Sequence, residues 1–362
     1  MPKPRRFCFL VPGDWATPTG GYQYDRRMAQ ALGAAGYTVD MLRVDADWPN
    51  PNAAALARAA AQVAELADGT RVVADGLAFG ALADLVAAHA HRLRWVALVH
   101  HPLHLETGLA PALRQRLLAD ETRALQHARS VVVTSPRTAR DVAAMGVAPE
   151  RVTVVEPGTD AFAPPLADLR DAVPPTHQAK PAPTRLLCVA TLTPRKGHAV
   201  LLQALAGLQY LPWQLHCVGS LTRDAATATS VQALGRACGL ADRIFWHGEV
   251  DADSLNAHYA AADLLVLASL HEGYGMVVAE ALAAGLPVLA SDAGALGQTL
   301  PPQAGWRVQA GNVPALQAAL LRLITEPALR GTLAAGARDA GRHLPGWPAQ
   351  AARFAAVLDA LA

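Results

Sequence analysis

Residues 264–282 read Leu-Leu-Val-Leu-Ala-Ser-Leu-His-Glu-Gly-Tyr-Gly-Met-Val-Val-Ala-Glu-Ala-Leu. An apolar run of strand length, Leu264–Ala268, enters a loop with two glycines, and the loop enters a segment of helical length. A further short apolar run follows at Pro287–Ala290. Strand, helix and strand in that order make a parallel pair with its crossover, covered on both faces. The loop also carries chemistry. Gly273 and Gly275 let backbone N–H groups approach a ligand closely, and a helix N-terminus just beyond them favours an anion. Glu272 lies in the loop, and Glu280 is expected about two turns into the helix. Met276, Val277, Val278, Ala279, Ala281 and Leu282 leave Glu280 almost no polar face to share. A carboxylate so placed is suited to accept hydrogen bonds from vicinal hydroxyls, as the acidic residue of a dinucleotide site does for ribose.

The same rhythm runs through the whole chain. In the first half, strands are expected at Phe7–Val11, Thr38–Val44, Arg71–Ala74, Trp95–Val99, Ser130–Thr134 and Val152–Val155, with helices between them. In the second half they are expected at Leu186–Ala190, Gln214–Val218, Ile244–His247, Leu264–Ala268, Pro287–Ala290 and Trp306–Val308. Between them the pattern stops at Pro164-Pro165, Pro174-Pro175, Pro181 and Pro183, which cannot join a regular ladder. The 362 residues, at about 150 per domain, therefore divide into an N-terminal domain over 1–163, a Pro-rich linker over 164–184 and a C-terminal domain over 185–344. A last amphipathic segment over 345–362 closes the chain. Two doubly wound α/β domains imply a ligand in the cleft between them, near the carboxyl ends of the strands.

Composition narrows the classes. The formal net charge of +1 argues against a generic electrostatic binder of nucleic acid. No apolar run reaches the roughly 18 residues of a membrane span, and Phe7 to Val11 is too short for the apolar core of a signal peptide. Cys8, Cys188, Cys217 and Cys238 show no C-x-x-C spacing. A reducing, cytoplasmic setting is the expectation. Leu109–His127, with Arg114, Arg116 and Arg123, reads as a solvated helix face, with peripheral membrane contact as its alternative.

Other strand ends hold candidates. Thr191-Leu192-Thr193-Pro194-Arg195-Lys196-Gly197 places two cations and a glycine ahead of a helix, which suits a diphosphate. Lysine is otherwise rare, at Lys3 and Lys180. Pro12 to Gly21 is a glycine-containing loop without the G-x-G-x-x-G of a nicotinamide site. His100, His101, His104 and Glu106 lack a metalloenzyme spacing, and Pro102 disfavours a helix there, so no metal is expected. Asp45-Ala46-Asp47 and Asp251-Ala252-Asp253 match a D-x-D pattern, but the second reads as a helix cap and the first as a turn. No G-x-S-x-G elbow or P-loop is present.

Taken together, Glu272-Gly-Tyr-Gly-Met-Val-Val-Ala-Glu280 and Ala281-Leu-Ala-Ala-Gly-Leu-Pro-Val-Leu-Ala-Ser-Asp292 resemble the E-x7-E signature of family 4 glycosyltransferases, retaining enzymes of the GT-B fold. Phe245 to Val250, Tyr259 to Asp263, Leu267 to Leu270, Ser135 to Asp141 and Val155 to Asp160 are similar to further segments of that family. The resemblance implies two Rossmann-like domains and a last helix that crosses back to the first. It also implies transfer of a hexose from a nucleotide diphosphate sugar, UDP- or GDP-linked, to a sugar, lipid-linked or small-molecule acceptor. No further cofactor is implied. Glu280 would hold the ribose and Glu272 the hydroxyls of the transferred sugar. The amides of Gly273, Tyr274, Gly275, Met276 and Val277 would meet sugar and diphosphate. Arg195 and Lys196 would neutralise the leaving group, Gly21 would approach the phosphates, His100 would sit beside the sugar, and Val250 would meet the base through its backbone. The chain departs from the family at Thr191, where arginine is usual, at Glu156 for asparagine and at Gln298 for glutamate. The rival readings are a GT-B nucleotide-sugar epimerase and a non-catalytic nucleotide-sugar binder.

Overall fold

The computed structural model describes residues 5–45, 48–160 and 182–361. It divides into two units, Met1–Gly158 with Pro345–Ala362, and Thr159–Leu344. Most of the Pro-rich segment expected as a linker lies outside the described residues.

The first unit is built on β1 (Arg6–Pro12), β2 (Thr38–Val44), β3 (Arg71–Asp75), β4 (Arg94–Val99), β5 (Ser130–Val133) and β6 (Val152–Val154). They form one parallel sheet in the order β2-β1-β3-β4-β5-β6. Its inner strands are apolar through their middles, as a sheet covered on both faces requires. Phe9, Leu10, Val73, Val96, Leu98 and Val132 are fully buried. The final helix, Trp347–Ala360, packs in this unit. Its Trp347 ring meets Tyr24 edge-on at 5.8 Å, and Arg71 donates to the Leu358 carbonyl at 3.1 Å.

The second unit holds β7 (Thr184–Val189), β8 (Trp213–Val218), β9 (Ile244–Gly248), β10 (Leu264–Leu267), β11 (Val288–Ser291) and β12 (Gly305–Val308). The order is β12-β11-β10-β7-β8-β9, again parallel throughout. This is the Rossmann order, in which the winding reverses between the first and fourth strands, here β7 and β10. The loops after those two strands diverge at that reversal, which is where open α/β sheets hold their ligands. In the first unit the reversal lies between β1 and β3.

Strand boundaries differ from the sequence expectation by at most two residues, but one helix start has a consequence for the chemistry. The helix expected to carry Glu280 deep in its body runs Met276–Ala283. Gly275 stops it from starting earlier, because its φ of 89° is left-handed and cannot open a helix. Glu280 therefore sits little more than one turn in, rather than two.

Candidate active site

The loop after β7 is a short 3-10 turn, Pro194–Lys196, ending at Gly197. Gly197 has φ 65°, and a Cβ there would fall 2.0 Å from the Ala268 carbonyl oxygen, so only glycine lets this turn close against the end of β10. The amide of Leu270 donates to the Arg195 carbonyl at 2.7 Å, which ties the two loops together.

That closure sets Glu272 between two cations. Lys196 Nζ donates to Glu272 Oε1 at 2.6 Å, and Arg195 Nη1 lies 3.4 Å from Oε2. The same Arg195 nitrogen donates to the His271 carbonyl at 2.9 Å, and Ser269 Oγ donates to Glu272 Oε1 at 2.7 Å. Glu272 is 6% exposed. Burial alone would raise its carboxyl, but Lys196 and Arg195, with the Lys196 and Ser269 hydrogen bonds, bring it down to about 2. Glu272 is thus a permanent anion inside a net positive cluster.

The rest of the loop is braced from behind. Ala295 donates its amide to the Glu272 carbonyl at 2.8 Å, and Thr299 Oγ1 donates to the Tyr274 carbonyl at 2.6 Å. Tyr274 is buried. Gly273, Tyr274 and Gly275 deliver the chain to the helix start, and Met276 and Val277 occupy its first turn, where amides have no carbonyl partner within the helix. Glu280 accepts from the hydroxyl of Tyr259 at 2.8 Å. Tyr259 is 2% exposed, and its hydroxyl also lies 3.4 Å from the Val277 carbonyl. Val250 follows β9 and is half-buried against the apolar cluster of this face.

His100 and Gly21 belong to the first unit. His100 follows β4, and its Nε2 lies 3.1 Å from Asp25 Oδ1 and 3.3 Å from Asp75 Oδ2. Asp25 is fully buried on the helix Gly20–Ala34, and Asp75 ends β3. Burial alone would lower the imidazole, but the two carboxylates raise it to about 10. Burial raises Asp25 to about 7, helped by Asp75 and opposed by His100. A Cβ on Gly21 would lie 3.3 Å from the His100 ring, so the bare glycine lets the helix approach the imidazole.

The structure brings Glu272, Arg195 and Lys196 into one cluster, with Glu280 nearby in sequence on the following helix. It adds Ser269, Tyr259, Asp25 and Asp75, none of which sequence reasoning had placed in a site. Ser269 and Tyr259 did stand in family-like segments, a signal that marked the stretch but not the side chain. Thr191 carries no charge. Arg195, four positions on, supplies a guanidinium beside Glu272. Asp251 is a helix cap, accepting from the Ser254 amide at 2.7 Å. In the other D-x-D stretch, Asp45 pairs with Arg58, and Ala46 and Asp47 lie outside the described residues. On the segment weighed for membrane contact, Arg123 pairs with Asp84 and Asp120 and Arg116 with Asn50, as on a solvated face. Among the described residues, no helix is long and apolar enough to cross a membrane.

Residues 183–326 match the family model described as glycosyl transferases group 1, and residues 48–161 match that of glycosyltransferase family 4. A D-inositol 3-phosphate glycosyltransferase of Xylanimonas cellulosilytica is 30% identical over 74% of this chain and 67% of its own length. Further relatives of that description are matched over 60% and 56% of their length. Among solved structures, sucrose-phosphate synthase from Thermosynechococcus elongatus aligns with a TM-score of 0.80 over 99% of both chains, at 24% identity. Anabaena HepE, solved in complex with UDP-glucose, aligns at 0.74 over 98% of this chain and 99% of its own, at 19% identity. With a family model matched on each unit, a relative 30% identical over two thirds of its length and solved structures aligned over nearly the whole chain, the chain belongs to glycosyltransferase family 4 and has the GT-B fold.

Proposed function

We propose that the protein is a retaining hexosyltransferase that moves a sugar from a nucleotide diphosphate sugar to an acceptor hydroxyl, with no metal ion at the diphosphate. The observation that carries this reading is the buried Glu272 clamped by Lys196 and Arg195 at the winding reversal of the second unit. Two fixed cations at a strand end are suited to a departing diphosphate, where negative charge builds in the transition state. Glu280, steadied by Tyr259, is assigned to the ribose. The amides of residues 273–277 are assigned to sugar and diphosphate, Val250 to the base, and Gly21 to the phosphates.

Glu272 cannot act as a general base near neutrality, because a carboxyl held at about 2 has little affinity for a proton. Its assigned role is to accept hydrogen bonds from sugar hydroxyls. The acceptor proton then goes to the leaving phosphate. The acceptor oxygen bonds to the anomeric carbon on the face from which the phosphate oxygen departs. The bond to that phosphate oxygen breaks, and the nucleoside diphosphate leaves carrying the proton. His100, held as an imidazolium by Asp25 and Asp75, is assigned to the sugar as a hydrogen-bond donor.

HepE's complex makes UDP the first nucleotide to test, with GDP second. The inositol phosphate relatives make a cyclitol phosphate the first acceptor to screen. The test is a thermal-shift panel of UDP, GDP, ADP, TDP and CDP on wild type and Glu280→Ala. Transfer from the matching donor is then followed by NMR of the anomeric proton, with and without chelator. One nucleotide is expected to stabilise the wild type and fail on the variant, and the product is expected to keep the donor's anomeric configuration. Inversion, or loss of transfer restored only by magnesium, would overturn the mechanism. Interconversion of donor sugars without acceptor would favour an epimerase, and donor binding without nucleotide release a non-catalytic binder.

A further inference from the structure

Away from Glu272, three histidines meet on one edge of the second sheet. His216 lies on β8, His247 on β9 and His258 on the helix Ala252–Ala261. One nitrogen of each ring lies within 4.8 Å of those of the other two. His216 Nδ1 and His247 Nε2 are 3.0 Å apart, and the His247 and His258 rings are 4.3 Å apart between centroids.

The backbone is shaped for this meeting. His216 pairs with Phe245 and Cys217 with Trp246, but Val218 pairs with Gly248, so His247 is the extra residue of a bulge. Bulges bend an edge strand and re-aim a side chain, often beside a functional site. His216 is 8% exposed, and its Nε2 is buried with no hydrogen-bond partner. Its other ring nitrogen, Nδ1, is the one that faces His247, so a shared ion would be bound there.

The distances fit a small transition-metal ion. With metal–nitrogen bonds of about 2.0–2.1 Å, two imidazole nitrogens on one ion lie about 2.9 Å apart at a right angle and about 3.3 Å apart at a tetrahedral angle. The His216–His247 separation falls inside that range, and the half-buried His258 has only to close in. Burial depresses all three imidazoles, His216 to about 4, and Arg185 adds to the effect on each.

We propose that His216, His247 and His258 bind one first-row transition-metal ion, Zn2+ by its preference for tetrahedral imidazole sites, with a fourth position taken by water. The ion would join β8, β9 and the helix that carries Tyr259, the residue bonded to Glu280. It would take no part in sugar transfer, so the site stands whether or not the transferase reading does.

The test uses untagged protein stripped with chelator and dialysed. Co2+ is titrated in and its visible d–d absorption followed, then displaced with Zn2+. Wild type is expected to bind one Co2+ per chain, and saturating Zn2+ to raise the melting temperature by about 5 °C or more. His247→Ala and His258→Ala, both at residues that are not fully buried, should melt near wild type without metal and bind Co2+ at least 100-fold more weakly. His100→Ala, which disrupts the other group of metal-competent side chains, Asp25, Asp75 and His100, should leave the absorption intact. No binding below millimolar Co2+ would overturn the proposal. So would binding that survives both variants or is lost in His100→Ala.

Discussion

At the carboxyl ends of its strands the second unit surrounds one carboxylate with two cations, whereas the first unit surrounds one imidazole with two carboxylates. Both clusters are largely buried, and both sit beside the winding reversal of a parallel sheet. In the second, burial works against Glu272, but Lys196 and Arg195 outweigh it, and the carboxyl falls to about 2. Glu272 stays ionised at any physiological pH, and its two partner cations leave the cluster a surplus positive charge. In the first, burial and Asp75 raise Asp25 to about 7 while the carboxylates raise His100 to about 10. That site holds protons. A two-to-one count of charges, reversed between the units, separates a set with a fixed surplus positive charge from a proton-holding set.

The largest effect should come from removing the cation closest to Glu272. Lys196→Ala should lower kcat/KM by about 100- to 1,000-fold, the scale of deleting one preorganised charge partner of a transition state. It should also cost about 3 kcal/mol in urea unfolding, because Glu272 keeps only Arg195 and Ser269 in a buried setting. If both transfer and stability were unchanged, the contrast between the units would collapse.

Glu272→Gln sharpens the same contrast from the other side. It removes the negative charge that Lys196 and Arg195 share, so calorimetry should show nucleoside diphosphate bound as tightly as in wild type or more so. Transfer should nonetheless fall by about 100-fold, as expected when an interaction with the reacting sugar is lost and not a binding contact. A parallel loss of nucleotide affinity would mean that Glu272 organises the phosphate site instead.

The units should also fail at opposite ends of the pH scale. Asp25 and His100 have raised folded values, so the folded first unit binds protons that the unfolded chain has released. Glu121, raised to about 8 by burial against a single Leu103 amide, adds to this. Stability from these groups is full at low pH and is lost as pH climbs from about 4 through about 10. Glu272 is depressed, so its contribution is present above its unfolded value of 4.5 and lost as pH falls toward 2. His216, depressed to about 4, likewise weakens the second unit below about pH 6.5. Hydrogen exchange read unit by unit should show the first opening more easily at pH 9.5 than at 7, by at least about 1 kcal/mol, and the second at pH 4.5. Asp25→Asn should bring the His100 titration down by about one unit in NMR while leaving the second unit's acid limb in place.

Tyr259→Phe should be the mildest change. It removes one hydrogen bond to Glu280, worth about 1 kcal/mol, so nucleotide affinity should fall about fivefold with kcat for transfer little altered.

Much of this was legible along the chain, because strand and helix periods and Gly-flanked turns act over about ten residues. The alternation of strands, the phosphate-suited turn at Arg195 and Lys196, the cap at Asp251 and the Glu272–Glu280 loop are all local patterns. The depth of Glu280 in its helix was missed by a turn because a left-handed Gly275 is a backbone fact that the apolar pattern does not carry. Ser269 and Tyr259 were missed for another reason. Neither has a local signature as a partner, and each becomes one only when its element packs beside a carboxylate.

The one-dimensional pattern thus determined that this chain makes two parallel α/β sheets and which charged and glycine-containing loops lie at their strand ends. Only the tertiary structure decided which charges meet. Asp25, Asp75 and His100 come together because β1, β3 and β4 are neighbours in the sheet order, and His216, His247 and His258 because a bulge and a crossing helix face one another. Protonation follows from that packing, since a carboxyl's affinity for its proton is set by burial and by charges from distant parts of the chain.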